Sequence, residues 1–125
     1  MKNGVVILWV IIALVVVAGV GSSFFIKAQP GQLDTFAQCL KDKGVTFYGA
    51  FWCPHCQATK AMFGNSAKLL PYVECSTPDG KGQLQICKDK GVTSYPMWTF
   101  ANSTTTLNGE RTLQELSELS GCPLP

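Results

Sequence analysis

The sequence predicts a small α/β domain with a mixed sheet, preceded by one apolar helix long enough to cross a membrane. Two observations carry the fold class: segments of strand composition alternate with segments of helical periodicity, and the last two strands follow each other without a helix between them. A third observation separates the apolar helix from the domain, because residues 5–26 contain no charged side chain while all six cysteines lie after residue 38. The chain of 125 residues therefore holds one domain and one apolar segment.

The apolar segment, residues 5–26, would extend for about 33 Å as a helix, which matches a hydrocarbon core of about 30 Å. It predicts a membrane anchor over residues 1–27. A cleaved signal peptide is the alternative, because residues 18–23 are rich in small side chains. Apolar character resumes at residues 24–26 before Lys27, which favours an uncleaved anchor. A buried core helix is disfavoured, because a domain of this size has no interior to hold it.

Residues 28–32 contain Pro30 and Gly31 and are typical of a linker, and residues 33–125 form the predicted domain. Its helices are predicted from apolar residues at helical spacing and its strands from β-branched and aromatic runs. In chain order the elements are a helix over 33–40, a strand over 45–52, a helix over 54–70 with a break near Gly64, a strand over 71–75, a helix over 84–90, strands over 95–100 and 103–107, and a helix over 112–119.

The composition argues against nucleic-acid binding and indicates the cellular compartment. The formal net charge of +2 is small, the lysines form no block, and the aromatic residues do not alternate with basic ones, so no nucleic-acid partner is expected. Six cysteines in so short a chain indicate disulfides in an oxidising compartment, metal binding or redox chemistry. The apolar segment ahead of them favours export.

The chemistry is expected at Cys53-Pro54-His55-Cys56, where a predicted strand leads into a helix. Pro54 suits the first turn of a helix, and the partial positive charge of the helix N-terminus favours a thiolate at Cys53. Cys53 is therefore the expected nucleophile, Cys56 is expected to resolve the mixed disulfide, and a protonated His55 would stabilise the Cys53 thiolate further. Such stabilisation makes the Cys53–Cys56 disulfide easier to reduce. This redox-active disulfide is expected to work without any other cofactor.

Three other interpretations compete at this motif. A purely structural disulfide between Cys53 and Cys56 would close too short a loop to stabilise the fold much. Structural zinc is disfavoured, because Cys75 and Cys87 do not form a second Cys-x-x-Cys and the sequence has one histidine, so no metal site is expected. His55 alone could also be an ordinary surface residue.

The motif and its surroundings resemble a known family. The resemblance covers about residues 33–122. The residues that carry it are 47–56 (Phe-Tyr-Gly-Ala-Phe-Trp-Cys-Pro-His-Cys), 72–75, 86–87 and 91–98. They are similar to the thioredoxin-like domain associated with bacterial vitamin K epoxide reductase homologues. The resemblance implies a thioredoxin-like fold in which Pro96 is a cis proline beside the cysteine pair, with the backbone before it free to pair with an extended substrate. Together with Pro96, Tyr95 and Trp52 are expected to bind the substrate.

The resemblance also implies electron exchange with a membrane-embedded partner that passes electrons to quinone. The helical bundle of that partner is missing from this chain, so the partner is expected to be a separate protein. One position departs from thioredoxins, which keep a buried acid six residues before the first active-site cysteine: here that residue is Phe47. A reductase would need the acid more than an oxidase would, so oxidation or isomerisation is favoured.

The four remaining cysteines allow three pairings. Cys75 ends a predicted strand, and Cys87 lies in the next helix after a loop containing Gly and Pro. Cys39 and Cys122 lie in the first and last helices, which can share a face in a thioredoxin-like sheet. Structural disulfides Cys75–Cys87 and Cys39–Cys122 are therefore favoured. A redox relay through one of these pairs is the alternative.

These expectations combine into a membrane-tethered thiol–disulfide oxidoreductase that oxidises or isomerises disulfides in exported proteins. The expected topology is single-pass, with the N-terminus inside and residues 33–125 outside. A secreted or periplasmic form after signal cleavage is the alternative. Two alternatives remain for function: a disulfide reductase that draws electrons from the membrane, and a redox-silent binding or chaperone module.

Overall fold

The computed structural model describes residues 1–28 and 30–125, with the side chains of all of these except 22–28. The predicted linker over residues 28–32 therefore lies partly outside the described residues. The chain forms two compact units, Met1–Pro30 and Gly31–Pro125.

The first unit is one helix, α1 (Lys2–Ala28). Its stretch Lys2–Gly21 has a mean hydropathy of 2.9, and the side chains along it are exposed. At about 1.5 Å per residue this stretch extends for about 30 Å. The helix is therefore long and apolar enough to cross a membrane, and a signal sequence near an N-terminus has the same properties.

The second unit is built on a four-stranded mixed sheet with the strand order β2-β1-β3-β4. The strands are β1 (Thr46–Gly49), β2 (Tyr72–Glu74), β3 (Met97–Thr99) and β4 (Thr106–Asn108). β1 pairs parallel with β2 and antiparallel with β3, and β3 pairs antiparallel with β4. A parallel pair needs a crossover, which is helical here, whereas an antiparallel pair needs only a turn. The predicted α/β class and mixed sheet are confirmed.

The helices of this unit follow the predicted order. They are α2 (Asp34–Asp42), α3 (Pro54–Phe63), α4 (Gln85–Asp89) and α5 (Leu113–Ser120), with a 3-10 helix over Gly64–Leu69 after α3. A capping box starts α5: the Glu115 backbone N–H donates to the Thr112 hydroxyl, and the Thr112 N–H donates to the Glu115 carboxylate. Gly121 ends α5 with a φ of 73°, in the left-handed region that glycine adopts readily.

The first strand is shorter than predicted, and the difference positions the cysteine motif. The strand predicted over 45–52 stops at Gly49. After it the chain turns, with the Cys53 backbone N–H donating to the Ala50 carbonyl at 3.0 Å. Residues 50–52, whose composition is typical of a strand, therefore form a turn that places Cys53 at the start of α3.

The other boundary differences have local causes. The helix predicted over 54–70 is α-helical only to Phe63, because Gly64 takes a φ of 52° and the chain continues as a 3-10 helix. The strand predicted over 103–107 begins only at Thr106, because the preceding residues form a turn.

Two clusters of buried side chains cover the two faces of the sheet. On one face the fully buried rings of Phe47 and Trp98 stack with their centroids 4.5 Å apart. Tyr48 follows Phe47 and packs in the other cluster, because side chains alternate along a strand. Helix residues from α2, α3 and α5 join the first cluster and one from α4 joins the second: Phe36, Phe63, Leu116 and Cys87. The sheet is therefore flanked by helices, and α3 starts at the end of β1.

Candidate active site

The predicted motif lies at the junction of β1 and α3. Cys53 is the residue that caps the start of α3, and Pro54 is the first residue inside the helix, where its missing N–H is not needed. Cys56 follows in the first turn. Cys53 and Cys56 are free thiols with exposed fractions of 4% and 1%, so the pair is in its reduced state.

Cys53 lies against the loop that precedes β3. Its sulfur is 3.8 Å from the carbonyl oxygen of Tyr95, a residue 42 positions away in sequence. The Tyr95–Pro96 peptide is cis and Pro96 is fully buried. The Pro96 carbonyl accepts a hydrogen bond from the Gly109 N–H at 2.8 Å. The structure thus brings two of the predicted substrate-binding residues next to the first cysteine.

Cys56 lies deeper, in a space that Gly49 leaves open. A Cβ atom at Gly49 would be 2.8 Å from the Cys56 sulfur and 2.8 Å from Cε2 of Tyr72, closer than real Cβ contacts. Any side chain at position 49 would therefore displace the sulfur, the tyrosine ring or both.

The surroundings of Cys56 hold its thiol in the protonated form. Burial raises the pKa of Cys56 to about 12, against a hydrogen bond with the Ala50 backbone that lowers it. Hydrogen bonding and charge at Cys53 raise this pKa further, whereas the charge of Lys60 lowers it. Cys56 is therefore a thiol at neutral pH.

His55 points away from the interior, with 67% of its side chain exposed. Its Nδ1 lies 2.6 Å from a carboxylate oxygen of Glu110, a contact that becomes an ion pair when the imidazole is protonated. Glu110 stands in the segment between β4 and α5 and is 42% exposed. The predicted histidine is therefore at the surface and has a partner from the other side of the site.

An aromatic surface adjoins Cys53. Trp52 is 48% exposed, its indole N–H donates to the Ser76 hydroxyl at 2.9 Å, and its ring meets that of Tyr95 edge-on at 6.0 Å. Phe51 beside it is exposed to a similar degree. Trp52 and Tyr95, both predicted to bind substrate, thus form one surface around the entrance to the cysteine pair.

The position that would hold a buried acid is filled by an aromatic side chain. Phe47 is fully buried and packs between Trp98, with which it stacks, and Tyr72, which it meets edge-on at 5.1 Å. The second cysteine therefore has an apolar ring, and not a carboxylate, at the position six residues before Cys53.

Three residues to which the sequence analysis gave no role are connected with Cys56 directly or through one another. The ammonium of Lys60 lies 3.4 Å from the centroid of the Tyr72 ring. The Tyr72 hydroxyl donates to the Glu74 carboxylate at 2.7 Å. Lys60 could have been found from its spacing, because it follows Cys56 by four residues on α3 and so shares its face. Tyr72 and Glu74 could not, because their approach depends on the register between β1 and β2.

The four remaining cysteines form two disulfides in the structure. Cys39 is bonded to Cys122 with their Cα atoms 5.8 Å apart, and Cys75 is bonded to Cys87 at 5.6 Å. They join α2 to the end of α5, and the end of β2 to α4. Within residues 1–28 and 30–125, no group of three or more His, Cys, Asp or Glu side chains is placed to hold a metal ion.

A mixed sheet flanked by helices, with a Cys-x-x-Cys pair at a helix start beside a cis proline, defines a thioredoxin-like domain. The sequence profile of the thioredoxin family matches residues 29–120 of this chain. The chain belongs to the thioredoxin family.

Two relatives are similar in sequence. The thiol-disulfide oxidoreductase LTO1 of Arabidopsis thaliana is 44% identical over 93 residues, covering 70% of this chain and 24% of the relative. The protein disulfide-isomerase A2 of Homo sapiens is 36% identical over 75 residues, covering 57% of this chain and 13% of the relative. The chain thus spans about a quarter and about an eighth of the lengths of these relatives.

Proposed function

We propose that the chain is a thiol–disulfide oxidoreductase that works through Cys53 and Cys56, with Cys53 as the nucleophile. The observation that carries the proposal is the asymmetry of the pair. Cys53 stands at the start of α3 beside the Tyr95 carbonyl, whereas Cys56 is enclosed and has its pKa raised to about 12 by burial. Relatives named as a thiol-disulfide oxidoreductase and a protein disulfide-isomerase support this activity.

Oxidation of a client begins with attack of a client thiolate on the Cys53 sulfur of the oxidised pair. The client–Cys53 bond forms and the Cys53–Cys56 bond breaks, so that Cys56 leaves as a thiolate and takes a proton from water. A second client thiolate then attacks the client sulfur and releases Cys53 as a thiolate. The client loses two electrons, and the pair gains them.

Client binding is assigned to the surface beside Cys53. An extended client segment would pair with the backbone at Tyr95, the residue before Pro96, by adding a strand-like stretch at this edge. The exposed rings of Trp52 and Phe51 would contact the apolar side chains of the client. Burial raises the pKa of Cys56 and so disfavours its thiolate, which supports the assignment of Cys53 as the nucleophile.

Oxidation or isomerisation is the proposed direction. Cys53 lies at the N-terminal end of α3, where the helix dipole attracts negative charge. This placement of the first cysteine supports an oxidising disulfide. Phe47 at the position of the buried acid supports this direction, because reduction of clients depends more on deprotonation of Cys56.

The proposed location is the outer face of a membrane, with α1 as an uncleaved anchor and the N-terminus inside. Charge alone does not determine the orientation, because the positive charges before the apolar segment (Lys2 and the α-amine) hardly outnumber the one after it (Lys27). The two disulfides beyond the active pair support an oxidising compartment outside the cytosol. The resemblance to domains associated with vitamin K epoxide reductase homologues supports a quinone-linked, membrane-embedded electron partner.

The test is oxidative refolding of a reduced client protein by the full chain in detergent, with a quinone-linked oxidant or oxidised glutathione as electron source. We expect client disulfides to form at a rate that depends on Cys53 and on Cys56. Client reduction in place of oxidation would identify the reductase. Client binding without any thiol exchange would identify a redox-silent binding module and overturn the proposal.

A further inference from the structure

We propose that Lys60, held over the ring of Tyr72, is a positioning residue that favours the thiolate of Cys56 and so sets the rate of exchange at the second cysteine. The inference rests on the proposed function of the Cys53–Cys56 pair. Phe47 occupies the position at which thioredoxins keep a buried acid, so ionisation of Cys56 needs assistance from another residue.

The first support is the placement of the Lys60 ammonium. Lys60 follows Cys56 by four residues on α3, so the two side chains lie on the same face of the helix. The ammonium does not extend freely into solvent, because it lies 3.4 Å from the centroid of the Tyr72 ring. A cation at this distance over an aromatic face is held by its attraction to the π electrons. Tyr72 therefore fixes the position of the charge.

The second support is that the same ring and the same thiol both adjoin Gly49. The Cys56 sulfur and Cε2 of Tyr72 are each 2.8 Å from the point where a Cβ atom of Gly49 would lie. Sulfur and ring edge thus share the space beside this glycine. Lys60, Tyr72 and Cys56 therefore lie in one region, with the cation over the ring and the ring and the thiol on either side of the space beside Gly49.

The other titratable groups around Cys56 cannot supply this stabilisation. Cys53 on α3 raises the pKa of Cys56. On β2, burial and the hydrogen bond to Glu74 raise the pKa of Tyr72, so the phenol stays neutral. The Glu74 carboxylate accepts the hydrogen bond from the Tyr72 hydroxyl and offers no positive charge to a thiolate. Among these described groups Lys60 carries the positive charge, and its charge lowers the pKa of Cys56 against the effect of burial.

Both directions of exchange pass through the Cys56 thiolate. When a client thiolate attacks Cys53 of the oxidised pair, the Cys53–Cys56 bond breaks and Cys56 leaves with the electron pair. In the reverse direction Cys56 gives its proton to water and attacks Cys53 of the mixed disulfide, and the client sulfur leaves as a thiolate. A cation near Cys56 lowers the barrier in both directions, so the inference does not depend on which direction the protein uses.

The test uses the reduced full chain in detergent, mixed in a stopped-flow instrument with an equimolar aryl disulfide that releases a coloured thiolate. The first equivalent of colour reports attack by Cys53 and the second reports resolution by Cys56. Both phases are measured against pH in the wild type and in Lys60→Met, Lys60→Gln and Lys60→Arg. Lys68→Met is the matched control, because it removes one charge at an exposed site outside the group.

We expect Lys60→Met and Lys60→Gln to slow the second phase by about tenfold near neutral pH and to move its pH midpoint up by about one unit. The first phase should change by less than about twofold, and Lys60→Arg should restore the second phase, since it keeps the charge over the ring. Tyr72→Phe should behave as the wild type in the second phase, because the ring remains.

Three results would overturn parts of this account, and they are distinguishable. A second phase with the wild-type rate and pH midpoint in both neutral Lys60 variants would refute the role of Lys60 while leaving the oxidoreductase intact. An equal slowing by Lys68→Met would refute it too, because net charge alone would then explain the effect. Absence of both phases in the wild type would instead remove the proposed function itself.

Discussion

Replacing both Cys39 and Cys122 by alanine is expected to lower the free energy of unfolding of the second unit by about 4.5 kcal/mol. The disulfide joins residues 83 apart, and the chain-entropy relation gives this value for a loop of that length. The same relation gives about 2.8 kcal/mol for Cys75–Cys87, whose residues are 12 apart. The long-loop variant should therefore be the less stable by about 1.7 kcal/mol.

The comparison is informative because cavity formation does not act in the same sense. Cys75, Cys87 and Cys122 are all buried, whereas Cys39 is only half-buried, so the cavities that alanine leaves are no smaller in the short-loop variant. A greater loss in the Cys39/Cys122 variant thus cannot come from packing and must reflect the closed loop.

The assay is equilibrium unfolding of the full chain by urea in a non-ionic detergent, followed by near-ultraviolet circular dichroism. The active pair is kept oxidised in every sample, so that only the structural disulfides differ. A Cys75/Cys87 variant that is the less stable of the two would refute the loop argument. Equal denaturant slopes for both variants are required for the comparison to be valid.

The other predictions concern reactivity, poise and topology. Cys53→Ser should abolish thiol exchange and Cys56→Ser should leave Cys53 trapped as mixed disulfides with clients; faster alkylation of Cys56 than of Cys53 at about pH 6 would contradict this assignment. Glutathione equilibration should place the Cys53–Cys56 potential above the ~−270 mV of thioredoxin, toward ~−120 mV, and a value near or below ~−270 mV would indicate a reductase. In Cys53→Ser, burial should keep the pKa of Cys56 above its ordinary value of 9.0, so thiolate absorbance should rise at higher pH in the folded chain than in urea; coincident curves would show that the thiol is not buried. External protease should digest residues 33–125 in spheroplasts; protection with all thiols reduced would show inverted topology, and a soluble exported product starting after about residue 22 would show signal cleavage.

The local chemistry of the motif was accessible from the sequence because it depends on neighbours along the chain. A strand, a cysteine, a proline and a helix in succession place Cys53 at a helix N-terminus whatever the rest of the fold does. The break after Phe63 was equally local, since Gly64 adopts a conformation that few other residues take. Strand ends were less accessible, because the apolar residues at positions 50–52 suit both a strand and the turn that they form.

The partners of the site could not be predicted, because they come from distant parts of the chain. Glu110 meets His55 across 55 residues of sequence, and no periodicity or motif marks it. Glu74 and Tyr72 reach the site through the register in which Phe47 faces Tyr72 and Gly49 faces Glu74. Such contacts depend on the packing of the whole domain, so they cannot be predicted from local sequence patterns.

In the proposed mechanism, the different roles of the two thiols depend on Gly49 as well as on the cysteines. Cys53 lies at the helix start beside the Tyr95 carbonyl and is the proposed nucleophile, whereas Gly49 leaves an enclosed space for Cys56, the proposed second thiol. If position 49 carried a side chain, the Cys56 sulfur, the Tyr72 ring or both would have to move. Movement of the sulfur would change the burial that holds Cys56 as a thiol. We therefore include Gly49 in the proposed active site, although it carries no reactive group.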